Sequence, residues 1–451
     1  MTIALRKITG CDLHVHLGGC LFAEDLLELG REIYEQVDWG LFVHSYEQAF
    51  GLCPDPIACF REALRGTPAG MKQFEKLYVF TEADSGDFAR FQAKFNFLIC
   101  LYRYWWRVLQ REEEIVWRIL ERHRAEGLDY VEYRAMYGYG KEDPEGFLHF
   151  HRLNAQVMQQ ASRPDFIARY IISLPRQEPL QEYALVQRLL SENPELIPAI
   201  VGVDFCFLEE GFPPRTAAPL FARVEQDNQQ WPERALEVVY HVGEVFFEKS
   251  LESAVRWCHE AAVLGARRLG HAIALGLDPE VAISRIPRAH QRESVRERLD
   301  QIAYDLHYRD SLAEYGVRVD EPDLCQEREA LLQRYPQEQT ERPYSPQRLA
   351  EIRRRQTFVL DRLAALGTVI ESCPTSNLRI GKVPDPALHP LHHFLKTRVN
   401  LVIGADDPGI FASPLAAEID WVLAHTGLDA AGLMRRLGDP RCFRLGRRRP
   451  Q

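Results

Sequence analysis

Short apolar runs alternate with longer stretches of helical periodicity along nearly the whole chain. Eight such runs end in polar residues: 12–16, 129–135, 168–174, 199–205, 236–243, 266–272, 367–374 and 400–407. Apolar runs of this length are typical of parallel strands that are covered on both faces. Eight strand and helix units therefore predict an α/β fold of the closed (β/α)8 TIM-barrel type. An open doubly wound sheet is the alternative, but no glycine-rich phosphate loop follows the first run.

Two segments are too long to be simple crossovers between strands. Residues 18–128 follow the first run and include FQAKFNFLICLYRYWWRVL, which predicts several helices folded as a cap over the barrel mouth. Residues 276–362 follow the sixth run and are rich in Arg and Glu, which predicts exposed helices joined by proline turns. A solvated insertion is the simplest interpretation of the second segment, and a lid or a homo-oligomer contact is the alternative. We therefore expect one barrel domain over residues 1–451 with two insertions.

Composition excludes several classes of function. Of 451 residues, 46% are hydrophobic and 27% are charged, which is ample for a large core. The net charge of −10 argues against a nucleic-acid-binding surface. The stretch MTIALRKITGCDLHVHL lacks the long apolar run that is typical of a secretory signal, and no run approaches the roughly 20 apolar residues that span a bilayer. Ten scattered cysteines form no CxxC pair. We expect a cytoplasmic protein with reduced cysteines and a small-molecule substrate, without nucleic-acid or membrane partners.

Candidate metal ligands fall at the ends of four of the eight runs. His14 and His16 lie two apart in the first run, so both side chains would project from one face of a strand. His241 ends the fifth run, His271 ends the sixth, and Asp406 ends the eighth. Because barrel active sites are built from the C-terminal ends of different strands, these groups are predicted to converge. Imidazoles with one carboxylate suit zinc, and iron or manganese could occupy the same ligands.

The joint placement of these groups carries the metal hypothesis. A single HxH pair, or a lone histidine such as His241, is more often an ordinary surface or hydrogen-bonded residue than a ligand. Here all five groups fall at predicted strand ends and none falls in the middle of a helix. We therefore interpret the set as one site.

Five motifs carry a resemblance to a known family. The sequences DLHVHLGG, YHVGE, LGHAI, ESCPTSN and GADDPGIF, in this order between residues 12 and 411, resemble successive motifs of the adenosine and AMP deaminase family of metal-dependent hydrolases. The resemblance implies a (β/α)8 barrel, one Zn2+ ion per chain, and hydrolytic replacement of a purine amino group by oxygen with release of ammonia. The chain would be an atypical member that acts on a purine nucleoside or nucleotide.

The resemblance also implies a role for each motif residue. Four side chains would hold the metal: His14, His16, His241 and Asp406. Glu244 would lie over the purine ring and protonate N1, His271 would help to remove the proton from the attacking water, and Asp406 would also orient that water. Asp407 would share a hydrogen bond with ring nitrogen N7, and the backbone of Gly243 would sit beside the ring. Glu244 can donate a proton if apolar surroundings keep it protonated.

Two substrate-contacting positions depart from the family pattern. Gly18 stands where many members carry an acidic or amide side chain that contacts the sugar or reads the purine edge. Phe207 stands at about the place where nucleoside deaminases usually carry a glycine against the purine. A site opened at Gly18 could admit a 5′-phosphate or a larger group. The charge partners considered for such a phosphate are Lys72, Arg134, Arg379 and Lys382.

Other functions stay open from the sequence. A related metal-dependent hydrolase could cleave another bond, for example the C–N bond of an N6-alkyl-AMP, an amide or an ester. A non-catalytic relative could use the barrel as an assembly or binding module. The presence of all proposed ligands together with Glu244 and His271 favours an enzyme. Zinc deaminases with a PCxxC motif are excluded because the chain has no CxxC pair.

Overall fold

Ten strands lie within residues 3–138, 140–245, 249–286 and 291–446, the ranges that this computed structural model describes. They are β1 (Cys11–His16), β2 (Tyr130–Met136), β3 (Ile167–Ser173), β4 (Ile200–Asp204), β5 (Glu237–Val242), β6 (Arg268–His271), β7 (Arg292–Ser294), β8 (Gln339–Glu341), β9 (Val369–Ser372) and β10 (Asn400–Ile403). All eight apolar runs of the sequence are strands, and only the short antiparallel pair β7 and β8 lies outside the main sheet.

The eight main strands form a parallel barrel in the order β1-β2-β3-β4-β5-β6-β9-β10. The sheet closes between its first strand and the residues that follow its last strand. The amide of His16 donates to the carbonyl of Asp406, and the amide of Asp406 donates to the carbonyl of His14, each over 2.8 Å. These bonds close the seam between β1 and β10. The predicted (β/α)8 barrel is confirmed, and the open doubly wound sheet is wrong.

The segment between β1 and β2 forms six α-helices. After the N-terminal helix α1 (Ile3–Thr9), they are α2 (Ala23–Gly30), α3 (Gly40–Phe50), α4 (Pro56–Leu64), α5 (Pro68–Tyr78), α6 (Phe88–Tyr104) and α7 (Glu112–Ala125). A π-helical turn, Trp105–Leu109, follows α6. Phe97 of α6 is fully buried, and its ring centroid lies 4.9 Å from that of Trp39 and 5.1 Å from that of Phe42. Aromatic packing of this kind fixes α6 against its neighbours.

Four crossover helices follow the next strands. They are α8 (Pro144–Ala161), α9 (Pro179–Glu192), α10 (Ala218–Gln230) and α11 (Leu251–Leu264). The segment between β6 and β9 contains α12 (Pro279–Ile283), α13 (Val295–His307), α14 (Arg309–Glu314), α15 (Glu321–Leu331) and α16 (Pro346–Leu366). The chain ends with α17 (Pro374–Arg379), α18 (Leu391–Phe394), α19 (Leu415–Thr426) and α20 (Ala430–Leu437). Of the helices in the described ranges, none is long and apolar enough to cross a membrane.

The charged segment between β6 and β9 is tied to the barrel by ion pairs. Arg348 of α16 donates to both carboxylate oxygens of Glu252 on α11, over 2.6 and 2.9 Å. Arg355 of α16 pairs with Asp305 of α13 over 2.5 and 3.0 Å, and both side chains are buried. Many of the Arg and Glu residues that the sequence suggested would be solvated therefore join helices to one another. Buried pairs of this kind fix geometry more than they add stability.

Candidate metal centre and active site

The four predicted ligands meet at the C-terminal rim of the barrel. One potential ligand atom from each of His14, His16, His241 and Asp406 lies within 4.8 Å of all the others. The Nε2 atoms of His16 and His241 are 3.2 Å apart, and Asp406 Oδ1 is 3.4 Å from His14 Nε2 and 3.3 Å from His16 Nε2. Buried His14 Nε2 has no hydrogen-bond partner among the described residues. Three imidazoles and a carboxylate at this spacing suit a divalent metal ion.

Two buried carboxylates orient the histidines of this cluster. His14 Nδ1 lies 2.7 Å from Glu371 Oε2, and His241 Nδ1 lies 3.1 Å from Asp204 Oδ1. A carboxylate at Nδ1 accepts the proton of that nitrogen, so Nε2 of each ring faces the site with its lone pair. Burial alone would raise the pKa of Asp204, but His241 and the guanidinium of Arg134 hold this pKa well below its usual range.

Two buried arginines keep the carboxylate of Glu371 ionised. Glu371 accepts from Arg134 over 3.2 and 3.3 Å and from Arg268 over 2.5 Å. Arg268 also donates to Glu132 over 2.5 Å. Burial would raise the pKa of Glu371, but the two guanidinium groups and His14 hold it well below its usual range. The barrel interior beneath the site is therefore a charged network with paired members.

The sequence did not reveal Asp204, Glu371 or Arg268 as members of the site. Asp204 is the next-to-last residue of the fourth apolar run, Glu371 lies inside the seventh, and Arg268 lies inside the sixth. A charged residue within an otherwise apolar strand is rarely buried without a partner, and this signal could have found all three. Their partners come from other strands, so the pairing itself required the barrel register.

Two residues of the site have strained backbone conformations. His271 has φ 66° and Asp406 has φ 62°, in the left-handed region that costs a non-glycine residue roughly 1–3 kcal/mol. His271 is the last residue of β6, and Asp406 lies three residues after the end of β10. The turn at each strand end points the side chain into the site, and the surrounding hydrogen bonds hold this conformation in place.

His271 and Glu244 lie beside the ligand cluster. His271 Nε2 is 3.6 Å from Glu244 Oε1 and 4.0 Å from Asp406 Oδ2. Its Nδ1 lies 2.9 Å from Asn377 Oδ1, an acceptor that fixes the ring with Nε2 towards the site. Burial raises the pKa of Glu244 to about 7. Burial would lower the pKa of His271, but the carboxylates of Glu244 and Asp406 raise it overall.

The loop that carries Glu244 is held by a second glutamate. The carboxylate of Glu209 accepts from the amide of Gly243 over 3.0 Å, of Glu244 over 2.9 Å and of Val245 over 3.1 Å. Gly243 has φ 71°, and a Cβ there would lie 2.8 Å from Cys258 Sγ. The turn therefore requires glycine at this position. Sequence analysis missed Glu209, although it is one of two adjacent acidic residues just after the fourth apolar run.

Asp407 is buried next to Asp406, the predicted ligand. Burial, and then the charges of Asp406 and Glu244, raise the pKa of Asp407 well above its usual range. Its Oδ1 has no hydrogen-bond partner among the described residues. The carboxyl group lies against Gly19, where a Cβ would come within 1.7 Å of Oδ1. Only glycine leaves room for Asp407 here, a constraint that the HLGG sequence did not reveal by itself.

A cavity of about 400 Å³ opens above these residues. Its aromatic lining residues are Phe88, Phe91, Phe95, Tyr102, Trp106, Tyr137, Phe150 and Phe207. Gly18 lies in the wall, and a Cβ there would meet Leu98 Cδ2 at 3.3 Å and Phe95 Cζ at 3.9 Å. Phe207 is 57% exposed with φ 72° and stands at the mouth, its ring 6.3 Å from that of Phe88. The space at Gly18 is therefore bounded by apolar cap residues.

The four basic residues considered as charge partners for a substrate phosphate do not form a phosphate site in the cavity wall. Arg134 lines the cavity, but its guanidinium pairs with Glu371 and lies 3.6 Å from Asp204. Arg379 donates to two backbone carbonyl groups over 2.7 and 2.8 Å. Lys72 is exposed on α5, and Lys382 packs beside Gly86; neither lies in the cavity wall. These contacts use the arginines within the fold and leave the two lysines outside the cavity.

The barrel carries a cluster of histidine and aspartate side chains at its C-terminal rim, and this cluster fits a divalent metal ion. The model of the family described as adenosine deaminase matches residues 354–437, a segment that includes Asn377, Asp406 and Asp407. An adenine deaminase of Rhizobium leguminosarum bv. trifolii is 45% identical over 73 residues, which are 16% of this chain and 23% of that protein. The chain thus spans less than a quarter of the curated relatives it matches.

Solved structures share the fold over almost the whole chain. An amidohydrolase from Burkholderia ambifaria with bound Zn has a TM-score of 0.59 and 14% identity, over 99% of this chain and 89% of that one. The N6-methyl-AMP deaminase from Arabidopsis thaliana has a TM-score of 0.53 and 14% identity, over 98% and 93% of the two chains. The family match and the curated relatives confirm the predicted resemblance to the adenosine deaminase family over part of the chain, and the solved structures confirm the barrel fold.

Proposed function

We propose that this chain is a divalent-metal-dependent hydrolytic deaminase that replaces the exocyclic amino group of an adenine-type ring with oxygen. The convergence of the four predicted ligands, with Glu244 and His271 beside them, carries this proposal. One zinc ion per chain is the proposed metal, because three imidazoles and one carboxylate favour it. When bound, such an ion lowers the pKa of water and so supplies a strong nucleophile at neutral pH.

Glu244 acts in this proposal as the proton donor to the ring nitrogen next to the reacting carbon. Its position beside His271 places it at the ligand cluster, and a pKa of about 7 keeps a large share of it protonated at neutral pH. Protonation of that nitrogen makes the neighbouring carbon electrophilic. General acid catalysis of this kind contributes roughly a hundred- to ten-thousandfold in rate.

His271 accepts the proton of the attacking water. Asn377 occupies the Nδ1 side of the ring, so Nε2 is the atom available for this transfer. Asp406 orients the water, the carbon–oxygen bond forms, and the carbon–nitrogen bond breaks as ammonia leaves with a proton. The proposed substrate contacts are Asp407 to a ring nitrogen, the backbone of Gly243 beside the ring, and Gly18 and Phe207 in the cavity wall and mouth.

The test measures metal content and product together. Purified protein loaded with zinc is incubated with adenine, adenosine, AMP and N6-methyl-AMP, and the released ammonia or methylamine is quantified. We expect about one zinc ion per chain and release from at least one substrate. Glu244→Gln is expected to keep the metal and lose turnover. A Glu244→Gln protein that turns over like the original would disprove the assigned donor, and metal binding without any product would favour a binding module.

A further inference from the structure

The cavity wall beyond the ligand cluster is formed by one face of α6. Phe88, Phe91, Phe95, Ile99 and Tyr102 recur at spacings of three or four residues and all line the cavity. An apolar stripe at this spacing normally packs against protein. On α6 it faces a space of about 400 Å³, which is within the range of roughly 300–1,000 Å³ found for small-molecule sites.

Further aromatic side chains extend this wall from the other side of the cavity. The Trp106 ring lies 5.0 Å from that of Tyr137 and 6.2 Å from that of Phe150. Among the polar lining groups, Gln92 is hydrogen-bonded to Asn96 over 3.0 Å. The buried hydroxyl of Tyr102 has no hydrogen-bond partner among the described residues. A ligand group placed here would therefore meet mainly rings and the Tyr102 hydroxyl, with the polar side chains of Gln92, Arg103 and Arg107 also in the wall.

The α6 side of the cavity suits a neutral apolar group better than a phosphate. Glu244, Asp406 and Asp407 line the inner end, and the proposed function assigns them to the ring and the metal, so none of them is a partner for a phosphate. The guanidinium of Arg134 is paired with Glu371. Arg103 and Arg107 also line the cavity, and the guanidinium of Arg107 lies over the Trp106 ring, 5.4 Å from its centroid. An anion held among apolar walls loses its hydration without a matched charge, which is costly. A neutral apolar group gains from the same walls by burial.

We propose that the adenine-type ring of the substrate carries an apolar group, aromatic or branched alkyl, that occupies the α6-lined part of the cavity in place of a ribose phosphate. This inference rests on the proposed function, whose substrate class it narrows. The group is attached either to the ring nitrogen N9 or to the exocyclic nitrogen. In both cases water supplies the oxygen, the bond from C6 to the exocyclic nitrogen breaks, and that nitrogen leaves with a proton, as ammonia or as an amine.

Binding is the primary test, because it does not depend on turnover. Titration calorimetry with zinc-loaded Glu244→Gln protein compares 9-benzyladenine, N6-benzyladenine, adenosine and AMP. At least one benzyl compound is expected to bind about tenfold or more tightly than adenosine and AMP, since a buried phenyl group adds apolar contact. Adenosine or AMP binding as tightly as both benzyl compounds would overturn the inference.

Turnover by the unmutated protein separates this inference from the proposed function. Ammonia from 9-benzyladenine places the group on N9, whereas benzylamine from N6-benzyladenine places it on the leaving nitrogen. Tight binding of a benzyl compound, without release of ammonia or amine from any adenine compound tested, supports the inference and overturns the deaminase proposal. Ammonia from AMP, with no ammonia from 9-benzyladenine, no benzylamine from N6-benzyladenine and tighter binding of AMP, supports the deaminase proposal and overturns the inference.

A matched pair of variants locates the apolar group. Phe95→Ala removes a half-buried ring from the cavity wall and is expected to weaken the tighter benzyl ligand by roughly tenfold, while adenine binding changes little. Phe50→Ala removes a half-buried ring of α3 that is outside this wall. It should leave benzyl binding unchanged. Equal effects of the two substitutions on benzyl binding would contradict the assigned position.

Discussion

The carboxylate of Glu209 accepts a hydrogen bond from the backbone amide of Glu244 over 2.9 Å, so one acidic residue fixes the position of another. The same carboxylate accepts from the amides on either side of that residue. Three amides that converge on one buried anion form a rigid turn, because each charge-assisted bond is stronger than a neutral one. Glu209 is therefore a positioning residue for the proposed proton donor.

We expect Glu209→Gln to lower kcat by roughly 10- to 100-fold, because a displacement of Glu244 of about 1 Å can cost that much. The amide of glutamine accepts through only one oxygen, so the turn loses part of its support. KM and metal content should change little. Steady-state kinetics with metal analysis checks this, and Glu210→Gln, at the exposed neighbour, is the control. Equal kcat values for the two variants would contradict the role.

Asp204→Asn should weaken metal binding by roughly 10- to 100-fold, because Asp204 orients His241 and raises its basicity. Competition with a chromogenic chelator measures this affinity. The same substitution at Asp165, an exposed partner of Arg124, gives a control with the same chemical change. A normal metal affinity in Asp204→Asn would show that His241 needs no such support.

Two adjacent glycines give a second contrast. Gly19→Ala puts a Cβ within 1.7 Å of Asp407 Oδ1, so Asp407 must move, and we expect kcat/KM to fall by about a hundredfold or more. Gly18→Ala meets Leu98 at 3.3 Å, a contact that a small shift of a flexible side chain relieves, and its loss should be much smaller. Kinetics of both variants, with circular dichroism as a folding check, test this. A larger loss of kcat/KM in Gly18→Ala than in Gly19→Ala would contradict the prediction that Gly19 is the position that leaves room for Asp407.

Metal binding is also expected to raise the stability of the folded protein. Zinc that binds the folded chain alone raises Tm with concentration, by about 2.7 kcal/mol of unfolding free energy at a hundred times Kd. Thermal unfolding with added zinc or added chelator measures this shift. His16→Ala removes one ligand and should abolish most of the response. An equal zinc-dependent shift in His16→Ala would indicate that the ion binds elsewhere.

The stability of the protein is expected to depend on pH through Glu418, a residue that has no role in the proposed catalysis. Its carboxylate accepts from the amide of Thr375 over 2.9 Å and from the hydroxyl of Ser413, and burial raises its pKa to about 7. An acid with a raised pKa in the folded state favours folding below its unfolded pKa, and this contribution is lost as pH rises towards 7. Stability should therefore fall by up to about 3 kcal/mol between pH 4.5 and pH 8 through this group.

Glu418→Gln stays neutral and should remove that part of the pH dependence. We expect the variant to be more stable than the original protein at pH 8 and similar to it at pH 4.5. Urea unfolding at several pH values measures both. A variant whose stability changes with pH just as the original protein does would show that Glu418 is not the titrating group.

The sequence predicted the barrel and the positions of the ligands because both follow from local patterns. An apolar run of four to eight residues needs no distant partner to be recognised as a strand, and a histidine at its polar end points to the rim. Glu371 and Asp204 escaped notice because their function depends on His14 and His241, which lie far away in sequence. Only the register of the closed sheet brings these pairs within hydrogen-bond distance.

The cap shows a different limit. Its aromatic sequence predicted helices, but an apolar helical face that packs on protein and one that lines a cavity have the same periodicity. Phe97 is fully buried among other rings, whereas Phe95, two residues earlier on α6, lines the cavity. Whether a face of α6 packs against protein or lines the cavity depends on the space between α6 and the barrel rim. No local sequence pattern encodes that space.

The backbone of Asp406 closes the barrel, and the side chain of the same residue belongs to the ligand cluster. Asp406 exchanges two backbone hydrogen bonds with His14 and His16 across the seam between β1 and β10, and all three side chains belong to the cluster. A chain with this seam open has its carboxylate ligand detached from two of the three histidines. Metal retention therefore reports the population of closed barrels, and slow amide hydrogen exchange at His16 and Asp406 should accompany the bound ion.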